Sequence, residues 1–215
     1  MTRKQMADQV QYWIGLQDID AYNETGLIYD LLYQGTIDML ARTKCVARCV
    51  NLQTKANVDT YTLDHSVLAL VDLEDGALPK AARSSTLSPS FALIRADILR
   101  LAPPPSVDGE VQVWAVLRPA QMSDDAQSVG DETYGGIPDE FQDAIVTYAL
   151  WKASDYADDQ TGQQGERYRV QYEGADGRSG RLAQIRSAVN RRGTAKAPGR
   201  RVRLRGVAPR QAWVG

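Results

Sequence analysis

The hydrophobic period of this chain changes twice. Toward both ends apolar residues recur every three to four positions, and in the middle every two. A helix gathers every third or fourth side chain on one face and a strand every second, so a single element type cannot serve the whole chain. Residues 2–13 read as a helix through Met6, Val10 and Trp13, with Gly15 as its stop. A second helix fits about 18–42, capped by Asp18 or Asp20. Its face is Ile28, Leu31, Leu32, Gly35 and Met39, widened by Leu27 and Leu40. Short β-branched runs then take over at 44–50, 58–63, 66–73, 91–101 and 110–117. The last alternates strictly, with Val111, Val113, Ala115 and Leu117 on one side. Glu74-Asp75-Gly76, the Ser-rich 83–90 stretch and Ala102-Pro103-Pro104-Pro105 separate the runs as turns and loops. That is the pattern of an antiparallel β-module.

Helical spacing returns after an acidic, glycine-bearing linker over 122–136. Ile137-Pro138-Asp139-Glu140 opens a helix, because proline in the first turn loses no hydrogen bond and the two acids meet the positive end of the dipole. Phe141, Ala144, Ile145, Tyr148 and Lys152 share a face, with Trp151 and Tyr156 beside it, and 158–162 ends the helix. A last pattern runs from 164 to 192 through Tyr168, Tyr172, Ala175, Leu182, Ile185 and Val189. Gly174, Gly177 and Gly180 interrupt it, each costing about 1 kcal/mol against alanine in a helix. Either the helix breaks there or the glycines admit a neighbouring backbone. The fold class is α+β: a bundle of about four helices, from 1–42 and 122–192, with an inserted antiparallel β-module over 43–121. An extended C-terminal arm, 193–215, completes it.

Charge divides the chain unevenly. Its formal net charge is −2, yet residues 191–215 hold eight of the 25 basic residues and no acid, leaving 17 basic against all 27 acidic residues before them. After Gly193 no amphipathic helical face emerges. Val202 and Leu204 alternate with Arg201, Arg203 and Arg205, which suits a short strand once a partner edge is present, but alone buries too little to offset its ordering entropy. Arginine-rich arms neutralise nucleic-acid phosphates, or dock into acidic grooves of a partner protein by β-addition with an aromatic anchor such as Trp213. A third reading is an uninvolved solubilising tail. The interleaved Val202, Leu204, Val207 and Trp213 favour the protein partner.

Chemistry is sparse. Cys45 and Cys49 are the only cysteines and His65 the only histidine, too few for a zinc site or a disulfide framework. The two thiols read as small buried groups on one strand face. His65 has only its chain neighbours Asp64 and Ser66, which a strand points the other way. Phosphate-binding glycine loops and calcium-loop spacing are missing. The acid pairs 124–125, 131–132, 139–140 and 158–159 read as solvated loops and helix starts. No enzyme, metal or cofactor is implied. No apolar run reaches the roughly 18 residues of a membrane span, and Met1-Thr2-Arg3-Lys4-Gln5 leads into a polar stretch, so synthesis in the cytosol is expected.

The order of parts resembles a head–tail connector adaptor of tailed bacteriophages: two N-terminal helices, an inserted β-module, the Pro-led helix 137–152 with Tyr148-Ala149-Leu150-Trp151, a Tyr- and Arg-bearing last helix and a terminal arm. The resemblance is architectural over nearly the whole chain and motif-level over about 137–192. It implies a virion structural protein at the neck, made in the host bacterial cytoplasm. It also implies a ring, usually of twelve copies, below the portal, joining capsid to tail and meeting the next tail or neck component. Double-stranded DNA would pass through the ring without sequence-specific binding. On that reading Arg200, Arg201, Val202, Arg203, Leu204, Arg205, Arg210 and Trp213 form a portal-binding arm. Phe141, Ile145, Tyr148, Trp151, Tyr168 and Tyr172 lie on the helices that pack subunits together. The alternatives are a nucleic-acid-binding accessory protein that uses the arm, and a stopper or tail-completion connector.

Overall fold

The structure is a computed structural model that describes residues 1–14, 26–63, 66–74, 90–95, 97–156, 162–175 and 178–192. The Asp18 or Asp20 cap, the stop at Gly15, His65, most of the Ser-rich stretch, the helix end at 158–161 and the arm 193–215 lie outside the described residues.

Helix α1 (Arg3–Ile14) buries Met6, Ala7 and Val10. Trp13, expected on that face, is 61% exposed. The buried stripe continues through the partly buried Ile14 instead, because a 3.6-residue period carries position 13 to the helix flank. Helix α2 (Leu27–Thr43) starts later than expected. Gly26 sits in the left-handed region at φ 67°, which a right-handed helix cannot pass through, and its carbonyl accepts from Asp30 N–H at 3.1 Å. Lys44, at φ 53°, closes the other end by donating its N–H to Leu40 O at 2.9 Å. The predicted face is the buried one: Ile28, Leu31, Leu32, Gly35, Met39 and Leu40.

Six strands follow: β1 (Arg48–Thr54), β2 (Thr60–Thr62), β3 (Val67–Glu74), β4 (Ser90–Arg95), β5 (Ile98–Ala102) and β6 (Gly109–Leu117). They form two antiparallel three-stranded sheets, β1-β6-β3 and β2-β5-β4. The run 91–101, read as one strand, is a hairpin that pairs Phe91 with Leu101. Asp97 lies at its bend and accepts from Leu63 N–H at 2.7 Å. The cysteines also depart from expectation. Cys45 precedes β1 and is buried, while Cys49 falls on the outward phase of β1 and is exposed.

The alternation of β6 divides the molecule into two cores. Val111, Val113 and Ala115 turn into a core between the sheets with Leu52, Tyr61, Leu63, Val67, Leu99 and Leu101. Val116 points the other way and joins the helical core. One strand thereby seals the β-module to the helices.

Helix α3 (Asp139–Tyr156) carries Asp139 and Glu140 in its first turn. Gln142 is fully buried yet satisfied: it donates to Ile137 O and Asp139 Oδ1, both at 2.9 Å, and accepts from the Met1 ammonium. The 164–192 pattern is two helices, α4 (Gly162–Glu173) and α5 (Arg181–Arg192), separated by a small hairpin of β7 (Gly174–Ala175) and β8 (Arg178–Ser179). Both readings of the glycines hold at once. Gly174 takes φ 95°, and a Cβ on Gly180 would sit 2.3 Å from Gly174 N. The described residues thus hold five α-helices, where about four were expected.

Candidate assembly interface

Helices α2, α3 and α4 meet in an aromatic and polar knot. A Cβ on Gly35 would lie 2.9 Å from Tyr148 Cδ1, so the missing side chain lets α2 rest on the Tyr148 ring. Tyr148 meets Trp151 and Tyr172 edge-on, with centroids 5.7 and 5.4 Å apart. The Tyr172 hydroxyl donates to Asp38 Oδ2 at 2.7 Å. Arg42 pairs with Glu173 at 2.7 Å and Asp38 at 3.5 Å. Burial, reinforced by the Asp38 carboxylate, drives the Tyr172 pKa far above the usual phenol range. Burial works against the Arg42 charge, but Glu173 and Asp38 outweigh it and raise its pKa.

The end of α2 is also where two outward-leading segments are tied. Arg186 Nε of α5, the helix leading into the arm, donates to Arg42 O at 3.1 Å. Lys44 Nζ donates to Leu70 O of β3 at 2.8 Å.

Of the helix residues predicted to pack subunits, Phe141, Ile145 and Tyr172 are buried in the subunit's own core, at 8%, 0% and 0% exposure. Side chains closed in this way shape the helices from behind. Tyr148, Trp151 and Tyr168 are half-buried against the same core. The eight arm residues from Arg200 to Trp213 lie outside the described residues. Tyr12, 79% exposed, and Trp13 were missed as surface residues. Their rings make an edge-to-face pair 5.6 Å apart at the end of α1. The available signal was adjacency, since two neighbouring aromatics on a helix cannot both face one core.

Beside Trp13 runs a groove of about 620 Å³ between α1, α3 and α4. Val146, Thr147 and Leu150 form its floor and Tyr168, Arg167 and Arg181 part of its wall. Neither arginine makes an ion pair among the described residues. Residues 119–151, which include the groove residues from Asp143 to Leu150, hold seven acids and no base. All seven acids are exposed. Among the described residues no three His, Cys, Asp or Glu side chains converge as a metal site requires. No helix among them is long and apolar enough to cross a membrane.

The arrangement offers contact surfaces: an exposed aromatic pair, a groove and segregated charge. The family model described as SU10 adaptor protein matches residues 1–201. The chain belongs to that family. A search of curated proteins finds no match. As an adaptor it is a bacteriophage structural protein and a component of the virion. The match takes in both cores of this adaptor, the α5 helix and the first residues of the arm.

Proposed function

We propose that this adaptor forms a twelve-fold ring below the portal. The ring joins capsid to tail, and packaged DNA passes through it without sequence-specific binding. Residues 193–215 act as the portal-binding arm, with Arg200, Arg201, Arg203, Arg205 and Arg210 pairing with acidic portal side chains. Val202, Leu204 and Trp213 supply the apolar contacts of an added strand. The β-module meets the next neck or tail component. The reading rests above all on the family match across residues 1–201, which includes the root of the arm.

Physical features support it. A short arm has modest affinity per copy, and a ring multiplies that affinity through effective concentration. Exposed acids facing the channel repel DNA phosphates and let the duplex slide. Helices α3 and α4 pack subunits side by side, with Phe141, Ile145 and Tyr172 holding their shape from within and Tyr148, Trp151 and Tyr168 nearer the contact. Adaptor mixed with portal protein and imaged by negative stain tests the proposal. The full chain should give closed rings on the portal, and a chain ending at Gly193 should lose portal co-sedimentation. Unchanged co-sedimentation of the shortened chain would rule out the arm's role.

A further inference from the structure

The groove beside Trp13 has the features of a protein-binding site. Its floor is apolar, with Val146 at 6% and Leu150 at 5% exposure. Its edge carries Trp13, which pairs edge-to-face with Tyr12; the two are the most exposed aromatic pair among the described residues. Aromatic and arginine side chains are the ones that anchor interfaces. Arg167 and Arg181 line it beside a single acid, Asp143, and lack ion-pair partners among the described residues, so a ligand presenting carboxylates meets two guanidinium groups against one carboxylate.

The same chain carries such a ligand. Asp131 and Glu132 lie on the base-free stretch 119–151. Both are exposed, and neither side chain forms an ion pair among the described residues. The turn that presents them is rigid: Tyr134 and Gly136 both donate backbone N–H to Asp131 O, at 3.0 and 2.9 Å, and Gly135 donates to Glu132 O. A preorganised turn loses little entropy on docking. The basic arm is a poor occupant by the same logic, since its arginines would face Arg167 and Arg181.

We infer that the groove bounded by Trp13, Arg167 and Arg181 receives the Asp131–Glu132 turn of a second copy of this chain. Groove and turn are different surfaces, so the contact is heterologous, the type that closes into a ring when the rotation per subunit divides a full turn. The inference rests on the proposed ring and names the two surfaces that build it.

The test uses the full chain with portal protein, read by sedimentation velocity and negative stain. Circular dichroism of each variant checks the fold. Reversing one side (Arg167→Glu with Arg181→Glu) or the other (Asp131→Lys with Glu132→Lys) should lower the ring fraction at least about tenfold, as for close charge pairs in other interfaces. Combining all four changes restores opposite charges across every contact and should recover the ring. A benzophenone amino acid replacing Trp13 should crosslink to residues 124–143 of another copy. Rings that survive both single-side reversals, or a combined variant no better than either parent, overturn the groove assignment while the ring itself stands. Crosslinks to the arm or to the portal also overturn it. Absence of any ring from the unmodified chain on the portal removes both this inference and the proposed ring.

Discussion

Tyr172 shows how one side chain holds three helices. Its ring fills the fully buried space beside Tyr148 and Trp151, and its hydroxyl reaches Asp38. A hydrogen bond to a charged group is worth about 1.5–3 kcal/mol. Asp38 is about a third exposed, so the lower end applies. Tyr172→Phe should therefore cost about 1.5 kcal/mol in chemical denaturation. It should also change the alkaline limb. The folded phenol keeps its proton where an unfolded tyrosine, with a pKa of about 10, loses it. That contribution is complete below pH ~10 and is lost as pH rises further. Stability measured from pH 8 to 11 should fall less steeply in Tyr172→Phe than in the parent. Gly35 gives a second test. Alanine gains about 1 kcal/mol in a helix interior, but its Cβ meets Tyr148 Cδ1 at 2.9 Å and Cβ and Cγ at 3.2 Å, atoms that cannot swing aside. Overpacking costs about 1–3 kcal/mol, so Gly35→Ala should lower the melting temperature. Gly180→Ala should lower it more, because there the obstacle is backbone at 2.3 Å.

At the scale of elements, β6 is the decisive piece. Its odd-numbered residues serve the core between the sheets, and Val116 serves the helices. Leu99 is fully buried in the sheet core alone. Leu99→Ala should cost about 2–5 kcal/mol. Hydrogen exchange should locate the loss, with amides of β2 and β5 exchanging faster while α2 and α3 keep their protection. Equal loosening in both regions would show that the two cores open as one unit. Several elements were legible in the sequence. The buried face of α2 and the inward face of β6 follow from period alone, as does the acidic start of α3. The start of α2 was misjudged because apolar residues upstream extend the periodic pattern past Gly26. The 91–101 hairpin was missed because both of its arms are apolar, which hides the bend from any count of hydrophobic residues.

For the whole molecule the segregation of charge matters most. Among the described residues, every buried residue of the two cores lies between Met6 and Ile185. A chain ending at Gly193 should therefore keep its circular dichroism spectrum and melt within a few degrees of the full chain, while the proposed role of the arm has it lose portal binding. A collapse in its melting temperature would mean that the arm contributes to the fold. Salt adds a further check. Interface charge pairs weaken as ions screen them, so ring formation should decline as sodium chloride is raised from 50 to 500 mM. Insensitivity to salt would argue for a contact made by apolar surface alone.

What this sequence determined by itself was the succession of helix, strand and helix, the polarity of each face and the separation of an acidic body from a basic arm. These are properties of period and composition, and they need no knowledge of neighbours. Only the tertiary structure decided which periodic residues are spent inside the subunit and which remain on its surface. Phe141, Ile145 and Tyr172 share their spacing with residues that would suit an interface, yet packing closes them in. Trp13 reads as core by its spacing, yet the rotation of α1 turns it out, beside the exposed Tyr12. The break between α4 and α5 was likewise undecided until the Gly174–Gly180 approach appeared, because a glycine's use depends on what comes within contact distance of its absent side chain.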